Sequence, residues 1–486
     1  MSKPAKTQLE QYLERGLAKG KQGDYRGAIE DLDEVVRLDP DHVAAVFWRG
    51  VAKGQVADYG GAIEDLSHAI GLNPLHPDGY SARGEARRKI GDLAGARQDL
   101  DEAVRLKPDH ANPRYCRGVI RYQSGDADGA LDDFEAALRI DPKHTGARHW
   151  RGLCRSLQED RSGALDDFNE TLSIEPDANA YCSRSAIKGK QGDHAGAIKD
   201  LNEAIRLDPE HFVAYHFRGT SKLLSGDPAG AIEDFSQAVQ INPKFAKAYC
   251  LRGTAKKEIG DERGACQDFS AAIRLEPNDP ESYYLRGQIR GGLGENDGAI
   301  ADFDAVIRLD PHAEAYYWRG VAKSQQGDHG NAIADFNEAI RLDPRDPEAY
   351  YVRGASKGAL EDYAGALADL DQVIRLDCNH VAGYCSRSFA KTLSGDWDGA
   401  AADIKEALRL DPKCADAYYA RGMLKSKQKD YAGTLADFNE AIRLNPDHPG
   451  AKSAIDAVQQ VQEDVGNPEK IINKLIWGDQ KPKLKH

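Results

Sequence analysis

The stretch Pro347–Asp377, PEAYYVRGASKGALEDYAGALADLDQVIRLD, holds two helical patterns separated by a turn. In its first part Tyr350, Arg353, Gly354 and Lys357 recur at i, i+3, i+4 and i+7, so they share one face of a 3.6-residue helix. In its last part Ala366, Leu370, Val373 and Ile374 form an apolar stripe at the same period. Between such halves other parts of the chain carry Gly-Asp, as at Gly23-Asp24, Gly91-Asp92 and Gly327-Asp328. The Asp suits the start of a second helix, where its carboxylate can accept free backbone N–H groups. A proline then follows in most copies and ends the pattern, because it cannot continue a helix.

The pattern is periodic. Pro40, Pro74, Pro108, Pro142, Pro176, Pro209, Pro243, Pro277, Pro311, Pro344, Pro412 and Pro446 are spaced at 34 residues, with two steps of 33 and Cys378 in one slot. The two shortened steps lose a residue just after Pro176 and Pro311, in turns. Thirteen units therefore run from about Leu9 to His448. A fixed period of this size predicts a stacked-repeat solenoid and overrides the two to four globular domains that 486 residues would otherwise suggest. Positions are numbered below so that Pro347 is slot one and Arg353 slot seven.

Three slots carry charge in every unit. Slot seven is Arg thirteen times, including Arg252, Arg286 and both copies of WRGVAK at Trp48–Lys53 and Trp318–Lys323. Slot eleven is always Lys or Arg, and slot twenty-three is always Asp, including Asp268 and Asp302. Two like charges four apart on one helix face repel, and a packed face rejects unpaired charge. The Asp of the second helix is the expected partner. An active site occurs once, whereas this trio occurs thirteen times, so Arg252–Asp268 and Arg286–Asp302 read as structural ion pairs and no catalytic residue is assigned.

The units resemble the tetratricopeptide repeat (TPR) family over about nine-tenths of the chain. Small residues at slot eight (Gly16, Gly50, Gly84, with Ser185 and Ser388 as exceptions), Ala at slot twenty (Ala28, Ala62, Ala96, with Thr434 as the exception), Leu or Phe at slot twenty-four and Pro at slot thirty-two carry the resemblance. The Arg at slot seven and the base at slot eleven depart from the family's usual Leu and Tyr. The resemblance implies an all-α, right-handed superhelical solenoid of antiparallel helix pairs. It also implies a concave groove lined by first helices that binds peptides, with slots two, five, six, nine, twelve and thirteen facing it. On that analogy the ligand groove would be lined by Phe47, Trp48, Tyr115, Trp150, Phe217, Tyr284, Tyr317, Trp318 and Tyr351. Large aromatic side chains of this kind suit binding hot spots; the alternative is that they pack against neighbouring first helices and tighten the superhelix, and the two roles are compatible. Two ligand codes of the family are missing. No slot nine is Asn, which the chaperone-tail clamp needs, and no slot six is Asn, which the asparagine ladder needs.

Composition narrows the partners. A net charge of −14 argues against nucleic acid and anionic membranes. No apolar run approaches the roughly 20 residues that cross a bilayer, and MSKPAKTQLEQ has no apolar signal core, so a cytoplasmic protein is expected. The eight cysteines form no CxxC pair, and they read as reduced packing residues. His42, His76, His110, His144, His211, His380 and His448 lie two residues after the proline slot. Equivalent positions one repeat apart are separated by at least the roughly 8–10 Å between packed helices, too far to share a metal at bonds of about 2 Å. They read as turn residues, and no metal or cofactor is expected.

The ends are expected to differ from the body: 1–8 disordered, 449–466 a C-terminal capping helix, and 467–486 a basic, amphipathic tail. Ile472, Leu475, Ile476 and Trp477 beside Lys481, Lys483 and Lys485 would complement Glu281, Glu314, Glu348 and Asp416 at second slots, so the tail could contact the chain's own groove. The expected function is a non-catalytic scaffold or adaptor for protein or peptide partners. The alternative is an assembly factor, co-chaperone-like protein or regulatory subunit that encloses a folded partner.

Overall fold

The computed structural model describes residues 3–448 and 450–455. Among them are twenty-six helices, α1 to α26 in chain order, and no strand. The fold is all-α, a solenoid of helix pairs, divided into two compact halves, residues 1–243 and 244–486. Odd-numbered helices are the first of each repeat and even-numbered ones the second. From α3 (Val43–Gln55) onward, every first helix begins at slot one. Within each half a first helix packs on its own second helix and on the second helix of the preceding repeat. Helix α1 (Lys3–Lys21) begins within the segment 1–8 expected to be disordered; residues 1–2 lie outside the described residues. Its register continues backward because Leu9 is buried with Leu32, Val35 and Ala45, and no glycine interrupts the chain before it. Residues 450–455 are helical; the rest of the expected cap, and all of the expected tail, lie outside the described residues.

Each turn is built from two residues. Nine of the glycines before a second helix have positive φ, as Gly226 does at 81°, a conformation that costs glycine nothing. The next residue caps the helix. Asp227 accepts a hydrogen bond from Gly230 N at 2.9 Å and opens α14 (Pro228–Ile241). In the ninth repeat the cap of α18 (Asn296–Leu309) is Glu295, which makes no such bond, because its longer side chain carries the carboxylate past the free N–H groups. Glu295→Asp is therefore expected to stabilise the chain by about 0.5–1 kcal/mol, read as a higher melting temperature.

The core lies between the paired helices. Slot-twenty alanines such as Ala130, Ala231 and Ala332 are fully buried, and so are Phe134, Phe235 and Phe336 at slot twenty-four. The slot-eight residue sits against that slot-twenty-four side chain, and the two choices are linked. Where slot twenty-four is Phe, slot eight is Gly: a Cβ on Gly320 would lie 2.6 Å from Phe336 and one on Gly422 2.6 Å from Phe438. The exceptions Ser185 and Ser388 occur opposite Leu201 and Ile404 and never opposite Phe, although Leu can also crowd the slot, since a Cβ on Gly50 would lie 2.9 Å from Leu66. Each serine turns its hydroxyl onto its own helix, donating to Cys182 O and Cys385 O at 2.7 Å.

The charged trio bridges the same helix pair. On α15 (Ala246–Glu258), Arg252 donates from Nε to Asp268 Oδ2 at 2.9 Å and from Nη2 to Oδ1 at 2.6 Å; Lys256 Nζ lies 2.9 Å from Oδ2. The Asp belongs to α16 (Glu262–Leu275), and it is only 4% exposed. Arg286 and Arg290 hold Asp302 in the same way, at 2.5 and 2.9 Å. The remaining arginine nitrogen reaches the preceding repeat. Arg286 Nη1 donates to Ser270 Oγ at 2.8 Å, Arg117 Nη1 to Asp101 at 2.7 Å, and Arg353 Nη1 to Asn337 at 2.7 Å. The guanidinium also lies over the slot-four tyrosine, as Arg252 does over Tyr249 at 5.4 Å, a cation–π contact. One side chain thereby ties its own two helices together and sets the spacing to the repeat before.

Candidate binding surface

The slot-five rings do not stand free. Four of them reach the N-terminus of the next first helix and stack on the histidine two places after the proline slot. Centroid separations are 4.7 Å for Phe47 with His76, 4.7 Å for Tyr115 with His144, 5.3 Å for Tyr351 with His380 and 4.8 Å for Tyr419 with His448. Six of the seven periodic histidines, all but His110, cap a helix through Nδ1. His76 Nδ1 accepts from Gly79 N at 3.0 Å, and His380 Nδ1 from Gly383 N at 2.9 Å. An imidazole that accepts at Nδ1 keeps its proton on Nε2. That second nitrogen faces the slot-two side chain of the preceding repeat: His380 with Glu348 at 2.9 Å, His448 with Asp416 at 3.0 Å, and His211 with Asn179 at 3.2 Å. Burial pulls His144 below the usual histidine range, which favours the neutral, accepting ring. These contacts occupy acidic side chains that the sequence assigns to the groove; Glu314 likewise accepts from Tyr284 Oη at 2.9 Å.

The nine aromatic groove candidates divide accordingly. Phe47 is 7% exposed, which corrects its assignment to the ligand face: it is a core residue beneath His76. Tyr115, Tyr284, Tyr317 and Tyr351 are half-buried, and burial pushes the phenols of Tyr284 and Tyr317 up to about 12. Trp150 lies edge-on to Tyr122 at 5.1 Å and stacked on Phe134 at 6.4 Å. Trp318 packs against Val321, Phe336 and Val352, and Phe217 against Cys182 and Leu201. Trp48, at 45%, is the one of the nine that is exposed.

A second apolar feature escaped the reading of the sequence. Ile90, Leu157 and Leu224 in the first half, and Ile259, Leu293 and Leu360 in the second, are exposed aliphatic residues at the C-terminal ends of first helices. They occupy slots thirteen and fourteen, immediately before the turn. Their signal was an aliphatic residue recurring one or two places before the two-residue turn, which is Gly-Asp after Ile90, Leu224 and Ile259, where a solvated turn needs none. The cysteines also depart from the expectation of uniform packing: Cys378 is exposed, and Cys385 and Cys414 are neighbours at 3.8 Å. Among the described residues no three His, Cys, Asp or Glu side chains group as a metal site, and no helix is long and apolar enough to cross a membrane.

The tetratricopeptide repeat family model matches residues 13–52, 53–111, 284–347 and 394–449. A model described as the ETO1 C-terminal domain matches residues 116–292. The chain belongs to the tetratricopeptide repeat family. No curated protein matches it. Among solved structures, the Cut9-Hcn1 hetero-tetramer of the APC/C is similar at a TM-score of 0.42 and 16% identity, over 94% of this chain and 96% of that one. A tetratricopeptide repeat protein from Parabacteroides merdae is similar at 0.42 and 20% identity, over 51% of this chain and 99% of that one. Yeast Tom70 is similar at 0.35 and 19% identity, over 88% and 97%.

Proposed function

We propose that the chain is a non-catalytic protein-interaction scaffold that binds extended segments of partner proteins along its first helices. The observation that carries this reading is the recurrence of exposed aliphatic side chains at slot thirteen or fourteen of the third, fifth, seventh, eighth, ninth and eleventh repeats, with Trp48 exposed on another first helix. Scattered apolar residues on a surface need no explanation, but exposed aliphatic residues that recur beside the same turn in several repeats offer a partner segment apolar contacts. The charged chemistry repeats as scaffold rather than gathering at one point, which favours binding over catalysis. Partner segments with apolar and basic residues fit a chain of net charge −14. The test compares proteins captured from a cell lysate by the intact chain and by Trp48→Ala/Ile90→Ser/Leu157→Ser, with circular dichroism on both. The triple variant is expected to keep its helical signal and to lose its captured proteins. An unchanged set of captured proteins would overturn the reading.

A further inference from the structure

The twelfth repeat breaks the ring-on-cap arrangement in a particular way. Elsewhere slot five and the next repeat's cap are Phe47 with His76, Tyr351 with His380 or Tyr419 with His448. Cysteine occurs at slot five in other repeats, but there it faces a different cap: Cys182 precedes His211 and Cys250 precedes Asp279. In the twelfth repeat both members change. Cys385 lies on α23 (Val381–Ser394), Cys414 is the N-cap of α25 (Ala415–Lys427), and their sulfurs are 3.8 Å apart. The two first helices are in direct contact. A disulfide needs about 2.05 Å, so closure requires the sulfurs to approach by less than about 2 Å.

We propose that Cys385 and Cys414 form an oxidation site at which a hydroperoxide converts the thiol pair into a disulfide that staples the twelfth repeat to the thirteenth. Cys414 is the attacking group. It is partly exposed, whereas Cys385 is buried. The hydrogen bond from Cys385 pulls the Cys414 thiol down to about 7, and the same contact, with burial, pushes Cys385 up. The Cys414 thiolate attacks one peroxide oxygen and the O–O bond breaks. The alcohol leaves, taking up a proton, and Cys414 becomes a sulfenic acid. The Cys385 sulfur then attacks the Cys414 sulfur, the S–O bond breaks, and hydroxide departs as water with the proton from Cys385. Two thiols and one hydroperoxide give one disulfide, one alcohol and one water. The peroxide gains the two electrons that the sulfurs lose. The other buried cysteines, Cys116, Cys154, Cys182 and Cys250, have their thiols pushed up chiefly by burial and stand apart from this chemistry.

The test uses the full chain and hydrogen peroxide. Thiols are counted by alkylation after denaturation, and linked peptides are mapped without reductant. The chain has eight thiols; stoichiometric peroxide is expected to remove two, to join the peptides containing Cys385 and Cys414, and to slow amide exchange in α23 and α25. A thiol reductant should reverse all three. Cys414→His, which installs the cap that most other repeats carry, is expected to abolish the link while leaving the helical signal unchanged. Survival of all eight thiols, a link through Cys378, or oxidation that stops at sulfinic acid without a link would overturn the proposal. So would a Cys414→His chain that still loses two thiols.

Discussion

Asp268→Ala is expected to cost about 3–5 kcal/mol of stability, more than the loss of either cation that holds it. The carboxylate is buried and accepts from Arg252 and Lys256 together, through both of its oxygens. Removing it leaves two like charges four residues apart on one face, with no anion between them. Arg252→Ala is milder, because Asp268 keeps Lys256 at 2.9 Å; a loss of about 1.5–3 kcal/mol is expected, the range for hydrogen bonds to charged groups. Thermal melts of the two variants decide the order. Coupling in a solenoid is between neighbours, so the Asp268→Ala melt should also divide into two transitions. Equal and negligible shifts would mean that the trio behaves as a solvated surface pair.

Gly320→Ala should destabilise the chain by about 1–3 kcal/mol, whereas Gly354→Ala should be nearly neutral or slightly stabilising. The substitutions add the same methyl group to equivalent slots. At Gly320 it meets the Phe336 ring at 2.6 Å; at Gly354 its nearest neighbour is Asp369 Cβ at 3.3 Å, with Leu370 at 3.4 Å. Alanine is the better helix former by up to about 1 kcal/mol, so the sign turns on the clash. Phe336→Leu introduced beside Gly320→Ala should recover part of the loss, since a Cβ opposite Leu lies between 2.9 Å, at Gly50 with Leu66, and 3.4 Å, at Gly354 with Leu370. Chemical denaturation of the three variants, compared at constant m-value, measures this. A clash-independent cost, equal at both glycines, would refute the steric account.

The period, the helix pairs and the partners of the repeated charges were legible in the sequence because each is written thirteen times. Repetition averages out local exceptions, so a proline at slot thirty-two in most repeats fixes boundaries that one proline would leave loose. The binding face was less legible. A half-exposed ring and a packed ring look alike in sequence, and the deciding fact for Phe47 or Trp150 is a neighbour in another repeat. The histidines are the clearest case. Their period was plain, yet their work as caps depends on a backbone N–H three residues on and a ring about 29 residues earlier, as for His380 with Gly383 and Tyr351. The Cys385 and Cys414 contact was hidden for the same reason. The two cysteines are 29 residues apart in the chain, and only the stacking of one repeat on the next brings them together.

The linkage between slots eight and twenty-four constrains how such a chain can be rearranged in its gene. A crossover in the turn between the two helices of a repeat could join the helix carrying Ser388 to a helix carrying Phe, and put a hydroxymethyl group where an aromatic ring must lie. A crossover at the proline boundary carries both members of the pair together and creates no clash. Duplication and loss are therefore tolerated in steps of a whole repeat and selected against within one, so the heritable module coincides with the packing module.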